Sequence, residues 1–281
     1  MPWLLYRSFF GLPKSIVDSQ GRPVNALLGT VNAILSVIDA RLTARGVRGV
    51  VACTGADAAD YRVELYPAYH AHREEMPVEL AAQWELAPRL LDSLGWNVSA
   101  SDGLEADDVM FSFACAEQER GGEALLLSGD RDMYGAVTDR VAVIDLRKGE
   151  VSPIGPAEVR ERYGVEPAQV PDFIALRGDP SDGLPGAPGI GAKTAAELLR
   201  AHGTLEQLLA AAGEADATMR PRTQAALCEN EELLLAFKRI ATLQRIDVQL
   251  PPDSETDVAG GAKVAGELGM RRLAERLTAR A

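Results

Sequence analysis

Three short acidic runs have spacings that let carboxylates act together. The first is Gly103-Leu104-Glu105-Ala106-Asp107-Asp108-Val109. Glu105 and Asp108 are three apart and share a face on a helix, with Asp107 a step to the side. The second run, Ser128-Gly129-Asp130-Arg131-Asp132, directly follows the apolar residues 124–127. The carboxyl end of a strand is where open α/β sheets bind ligands. The third, Gly178-Asp179-Pro180-Ser181-Asp182-Gly183, sits at a turn. Each run alone has an ordinary alternative: a solvated first helical turn favoured by the dipole, a helix cap, an Asx turn. Brought together, the seven carboxylates Glu105, Asp107, Asp108, Asp130, Asp132, Asp179 and Asp182 would repel and raise one another's pKa values. Mg²⁺ or Mn²⁺ relieves that repulsion, because these ions take oxygen ligands and retain waters. Two such ions roughly 4 Å apart can activate a water and stabilise the leaving oxygen in phosphodiester cleavage.

A glycine-rich segment follows the third run. Leu184-Pro185-Gly186-Ala187-Pro188-Gly189-Ile190-Gly191-Ala192-Lys193-Thr194 has the form of a helix-hairpin-helix turn, between a helix over 170–177 and one starting near Gly191. Gly189 and Gly191 let the backbone approach a phosphate closely. N–H groups at a helix start bind anions, Lys193 adds charge, and such contacts carry no base information. A P-loop needs Gly-Lys-Thr, and here Ala192 separates Gly191 from Lys193. A dinucleotide fingerprint needs a strand before its glycines, and Gly183-Leu184-Pro185 is not one. A plain structural turn stays as the alternative.

The elements that must position these runs follow from periodicity. Leu27, Leu28, Val31, Ile34, Leu35 and Ile38 predict a helix over 24–39; Leu80, Trp84, Leu90, Leu91 and Leu94 predict another over 76–94, ended by Gly95. Apolar runs at 47–54, 96–100, 124–127 and 141–146 read as strands, with a helix over 105–115 among them. This alternation argues for an α/β domain with a mainly parallel sheet. Residues 58–73 mix aromatic and charged side chains without clear period. Beyond about residue 155 the strand signal fades, and helices are predicted over 156–163, 170–177, 193–201, 204–212 and 230–243, with 251–262 as loop.

Bulk properties bound the reading. The 281 residues, 47% hydrophobic, suffice for one large domain with a smaller module. There is no apolar run of about 18 residues and no signal-peptide pattern. Cys53, Cys115 and Cys228 are widely spaced, form no Cys/His metal motif, and suit a reducing compartment as small hydrophobes. The net charge of −12 argues against a general nucleic-acid coat. It leaves room for an acidic site that carries cations when working.

Several stretches together carry a resemblance: Leu4-Leu5-Tyr6-Arg7-Ser8-Phe9-Phe10, Tyr61-Arg62-Val63-Glu64-Leu65-Tyr66-Pro67-Ala68-Tyr69, and residues 104–109, 128–133 and 172–194. In this order they resemble the stand-alone bacterial 5′-3′ exonucleases, related to the N-terminal domain of DNA polymerase I and to flap endonucleases. The resemblance implies an α/β, resolvase-like (PIN-like) core over 1–155, with a helical arch at about 61–95, and a helical module over 156–281 whose helix-hairpin-helix spans about 170–200. It implies two Mg²⁺ (or Mn²⁺) ions on Glu105, Asp107, Asp108, Asp130 and Asp132, with Asp179 and Asp182 serving the second ion. It implies His70 and Arg73 at the catalytic end of the arch. Tyr6, Arg7, Arg62, Tyr69 and Arg73 become candidate phosphate or base contacts, and Gly186, Gly189, Gly191, Lys193 and Thr194 the duplex grip, with K⁺ at the hairpin turn. The implied partners are branched, nicked or 5′-flapped DNA and a separate DNA polymerase. A monomeric, cytoplasmic, nucleoid-associated protein without a membrane role is expected.

Three positions depart from the family pattern. A first strand carrying an Asp precedes the Leu-Tyr-Arg motif in the family, whereas this sequence starts Met1-Pro2-Trp3; the expectation is that the true start lies upstream. Gly55 stands where an Asp is usual, with Asp57 two residues later. His70 replaces the usual arch Lys, which leads to an expected pH dependence of cleavage near neutrality. The alternative function is a DNA-junction-binding homologue whose cleavage is weakened or lost.

Overall fold

The computed structural model describes residues 1–40, 46–146, 151–214 and 219–280. Met1 leads straight into helix α1 (Pro2–Gly11), where Pro2 occupies a first-turn position that needs no N–H bond. Leu4, Leu5 and Phe9 of α1 are buried, and α1 packs on α2 (Asn25–Ala40), the helix predicted over 24–39. Next come β1 (Val51–Thr54), a short α3 (Asp60–Leu65), α4 (Val78–Ser93), β2 (Asn97–Ala100), α5 (Ala106–Glu119) and β3 (Ala124–Leu126). β4 (Val141–Asp145) and β5 (Ser152–Ile154) complete the strands. The helical remainder is α6 (Pro156–Tyr163), α7 (Val170–Arg177), α8 (Ala192–His202), α9 (Leu205–Gly213), α10 (Pro221–Glu229), α11 (Glu231–Ala241), α12 (Val258–Glu267) and α13 (Arg271–Thr278).

The strands are mainly parallel but form two pieces. β1 pairs with β2 in parallel; β3 pairs with β4 in parallel, and β5 adds to β4 antiparallel. Between the pieces lies a cavity of about 390 Å³, lined by residues 46–53 on one side and 121–127 on the other, with Met1 among its walls. The Met1 ammonium donates to the Cys53 carbonyl at 2.8 Å, at the end of β1. α5 crosses from β2 to β3 and packs on both pieces. The loops after β1, β2 and β3 thereby come together beside the start of α5.

Three expectations are corrected here. α4 falls inside the expected arch at 61–95, yet Leu80, Leu90 and Leu91 are fully buried and α4 packs on α2 and α12. It is a core helix, and only the stretch joining α3 to α4 crosses the acidic loops. Residues 251–262, expected as loop, include the start of α12, which is N-capped by the Asp257 carboxylate accepting from Gly260 N at 2.8 Å. The expected module 156–281 does not pack as one body: Ala265, Leu273 and Leu277 share a buried cluster with Leu27, Leu91 and Trp96 of the α/β half. The small, Gly- and Ala-rich sequence of α12 hides its amphipathic face from a periodicity reading.

Candidate metal centre and nucleic-acid interface

The acids divide into an inner and an outer set. α5 starts with Glu105 at its N-cap, in a reciprocal capping arrangement with Asp108. That places Asp108 on the inward face, fully buried. Its Oδ2 accepts from Arg62 Nη1 and its Oδ1 from Arg62 Nη2, both at 2.8 Å, and Oδ1 also accepts from Gln244 N at 2.8 Å. Arg62, from α3, is 2% exposed and also donates from Nε to the Ile240 carbonyl at 2.9 Å. Glu105 faces the same guanidinium at 2.9 Å and accepts from Ala59 N and the Tyr69 hydroxyl. Burial works against the Arg62 charge, but Glu105 and Asp108 outweigh it and hold its pKa above the ordinary value. Burial, then Glu105, pushes the Tyr69 phenol upward.

Three calls change accordingly. Asp108 has its oxygens occupied inside the protein and is a structural partner of Arg62 rather than an open ligand. Arg62 and Tyr69 are buried and turned inward, so they are not free to touch a phosphate or base. Glu105 sits between the sets, fixed by its three donors.

The outer set comprises Asp107, Asp130, Asp132 and Asp182. Burial, followed by repulsion from Asp130, pushes Asp107 well above its ordinary value, while the Met1 ammonium pulls it back. Burial pushes Asp132 up as well, joined by Asp107, Asp130 and Asp182. Asp130 is raised by burial and then Asp182, and relieved by Arg73 and by the Ser128 hydroxyl. Carboxylates from the first turn of α5, the segment after β3 and the turn before the hairpin therefore come within electrostatic reach at Asp132. Among the described residues, no three of them close on a single point. An all-carboxylate set in which Asp107, Asp130 and Asp132 resist ionising fits hard divalent cations that keep some waters.

Asp179 does not join them. It is 3% exposed, and its Oδ1 accepts from Ser181 N at 3.0 Å and from the Ser181 hydroxyl, within the Asx turn weighed as the alternative for this run. Asp57 lies at the rim, 82% exposed, paired with Arg73 at 3.2 Å. Gly55, the position where an Asp is usual, has no room for a side chain: a Cβ there would stand 2.2 Å from the Leu104 carbonyl oxygen. The close approach of the β1 loop to the start of α5 accounts for the glycine.

His70 adopts a left-handed φ of 54° and is buried against the Tyr69 ring at 3.8 Å. Its Nε2 faces Asp182 Oδ1 at 3.1 Å and its Nδ1 faces the Asp57 carbonyl at 3.2 Å. It therefore ties the α3–α4 connection to the outer acids. Tyr6 is half-buried, its phenol raised by burial and then by Asp57, with Arg73 opposing. Arg7 is exposed and donates to the Leu146 carbonyl at 2.9 Å. Ser128 is a site group the sequence reading missed; its hydroxyl meets Asp130 only through the turn that follows β3.

At the hairpin, Gly189 has φ 79° and is exposed, and Gly191 is the open N-cap of α8 with free space around it. Lys193 is 90% exposed and Thr194 half-buried. Gly186 differs. It is buried, and a Cβ there would stand 2.4 Å from Gly178 N. It serves a close crossing of two backbone segments, which gives its lack of a side chain a structural reason. An antiparallel bridge, Asp179 with Leu184, locks the same crossing.

Comparison with known proteins bears on this arrangement. A 5′-3′ exonuclease N-terminal resolvase-like domain matches residues 2–164, and a 5′-3′ exonuclease C-terminal SAM fold matches residues 165–262. A 5′-3′ exonuclease of Mycobacterium tuberculosis is 38% identical over 291 residues, covering 95% of this chain and 90% of that protein. A thermostable DNA polymerase I of Thermus thermophilus is 38% identical over 98% of this chain, which spans 31% of the polymerase. A bacteriophage T5 flap endonuclease, solved with DNA and metal ions, has the same fold at TM-score 0.65 and 18% identity, covering 99% of this chain and 95% of that one.

Proposed function

The chain belongs to the 5′-3′ exonuclease family, and from that premise we propose that it hydrolyses DNA phosphodiester bonds at 5′ ends and flaps with the help of Mg²⁺. The single observation that carries the metal part is that Asp107, Asp130 and Asp132 lie close enough to act on one another's charge, with Asp182 acting on Asp130 and Asp132. These four residues would hold the ions. Bound divalent cations supply charge neutralisation at the phosphate and an activated water.

The chain's own residues supply the rest. The hairpin at Gly189–Gly191 and the start of α8 hold a duplex phosphate through backbone N–H groups and Lys193. Arg73, whose charge reaches both Asp130 and Tyr6, steadies the phosphate next to these acids. Tyr6 offers a ring edge at the same rim. The inner cluster of Arg62, Glu105, Asp108 and Tyr69 positions Asp107 by fixing the first turn of α5. His70 holds Asp182 in place. K⁺ at the hairpin and a separate DNA polymerase as partner belong to the same proposal; the kinship with DNA polymerase I supports the second. Among the described residues, no helix is long and apolar enough to cross a membrane.

A cleavage assay on a 5′-flap duplex tests the reading. Cleavage with Mg²⁺, lost on chelation and in Asp130→Ala, is expected. Flap binding without Mg²⁺-dependent cleavage by the unmodified chain overturns it.

A further inference from the structure

The hairpin has a cationic neighbour that its own sequence does not supply. α10 starts at Pro221, and the Arg222 side chain reaches over the hairpin: its Nε lies 3.8 Å and its Nη2 3.9 Å from where a Cβ on Gly189 would stand. Arg222 is exposed, and so is Arg220, the N-cap of α10. Neither side chain makes a hydrogen bond or ion pair among the described residues. Several other exposed arginines of this acidic chain are paired, as Arg160 is with Glu166, Arg245 with Glu119 and Arg89 with Glu267, while Arg239, Arg271 and Arg272 are exposed away from any glycine-rich helix start. The first turns of α8 and α10 carry no acidic residue. An open helix start, two glycines without side chains and an unpaired guanidinium therefore face one patch of solvent.

We propose that Arg222, seconded by Arg220, is a second backbone clamp for duplex DNA, gripping a phosphate beside the one held at Gly189 and Gly191. The proposal rests on the reading of the chain as a DNA hydrolase and deepens it. The patch suits a polyanion with regularly spaced phosphates better than one small anion, because its donors are spread over two helix starts. A guanidinium can hold two phosphate oxygens at once, and it reads charge rather than sequence. Arg222 touches DNA remote from the acids, so it positions the duplex and takes no part in the chemistry.

The test is binding of a labelled 5′-flap duplex, with Ca²⁺ replacing Mg²⁺, across 50–200 mM KCl. Arg222→Ala is expected to raise Kd by about five- to tenfold and to lower the slope of log K against log salt by about 1. In turnover, the loss is expected in KM, with kcat within about twofold. Arg222→Lys restores the slope, and Arg271→Ala, a charge removed from the far surface, changes neither quantity. A Kd and slope equal to those of the unmodified chain overturn the proposal. An equal loss in Arg271→Ala also overturns it, since that reports diffuse charge. If the unmodified chain neither binds nor cuts the flap, the functional reading fails instead, independently of Arg222.

Discussion

Arg62 and Asp108 meet in a two-pronged ion pair, both contacts at 2.8 Å, with 2% and 0% of their side chains exposed. The pair joins α3 to the first turn of α5, and Gln244 N closes it from the far side. Two residues that look like a phosphate ligand and a metal ligand in the sequence instead neutralise each other beneath the site. Asp107, next to Asp108, is left as the acid of that turn whose charge meets Asp130.

Removing one member of that pair leaves a buried charge without a partner. Arg62→Ala is expected to lower unfolding free energy by about 3–5 kcal/mol, measured by urea denaturation. The apolar double variant Arg62→Met/Asp108→Leu should recover much of the loss. A stability change below about 1 kcal/mol in Arg62→Ala would contradict the structural role.

Asp107 and Asp108 are adjacent and should behave differently. Asp107→Ala is expected to retain flap binding and stability while its cleavage rate falls about a thousandfold, or about 4 kcal/mol of barrier. Asp108→Ala should lose stability first. Matched melting curves and single-turnover rates decide it, and equal stability losses in both would merge the inner and outer sets.

The outer acids set a pH dependence of stability in the metal-free protein. Asp132 has a folded pKa well above its ordinary value, from burial and then Asp107, Asp130 and Asp182. The folded state therefore binds the proton more tightly than the unfolded one. Stability is highest below the ordinary carboxylate pKa of about 4 and falls as pH rises from there towards the raised folded value. Asp132→Asn should accordingly raise the Tm at pH 7 in chelator and give no gain at pH 3.5. Mg²⁺ should raise the Tm of the unmodified chain more than that of the variant. A variant melting below the unmodified chain in chelator at pH 7 would reverse the sign.

Gly55 is required by packing. Gly55→Ala places a Cβ 2.2 Å from the Leu104 carbonyl, so the start of α5 must shift. A loss of about 1–3 kcal/mol is expected, together with slower cleavage, because Asp107 moves with that turn. Thermal melts and single-turnover rates check both parts. Gly103→Ala, where a Cβ meets nothing within 4 Å, is the comparison expected to melt like the unmodified chain.

Much of the fold is legible in the order of residues, because local chemistry sets it. The heptad-like apolar spacing of 24–39 makes α2, and the short β-branched runs make β1 and β4. The turn Gly178–Gly183 and Gly189 announce the hairpin, since few other residues take the positive φ of Gly178, Gly183 and Gly189. α12 was missed because alanine and glycine give little contrast between faces.

Sequence alone determined that seven acids lie in three loop positions at strand or helix ends, and that a phosphate-gripping hairpin follows them. Tertiary structure decided what each acid does. Burial and a single guanidinium turned Asp108 inward, a local Asx turn took Asp179, and folding brought Asp107, Asp130 and Asp182 to act on Asp132. Charge partners are chosen by distance in space, and residues 62 and 108, or 107 and 130, are neighbours only once the chain has folded.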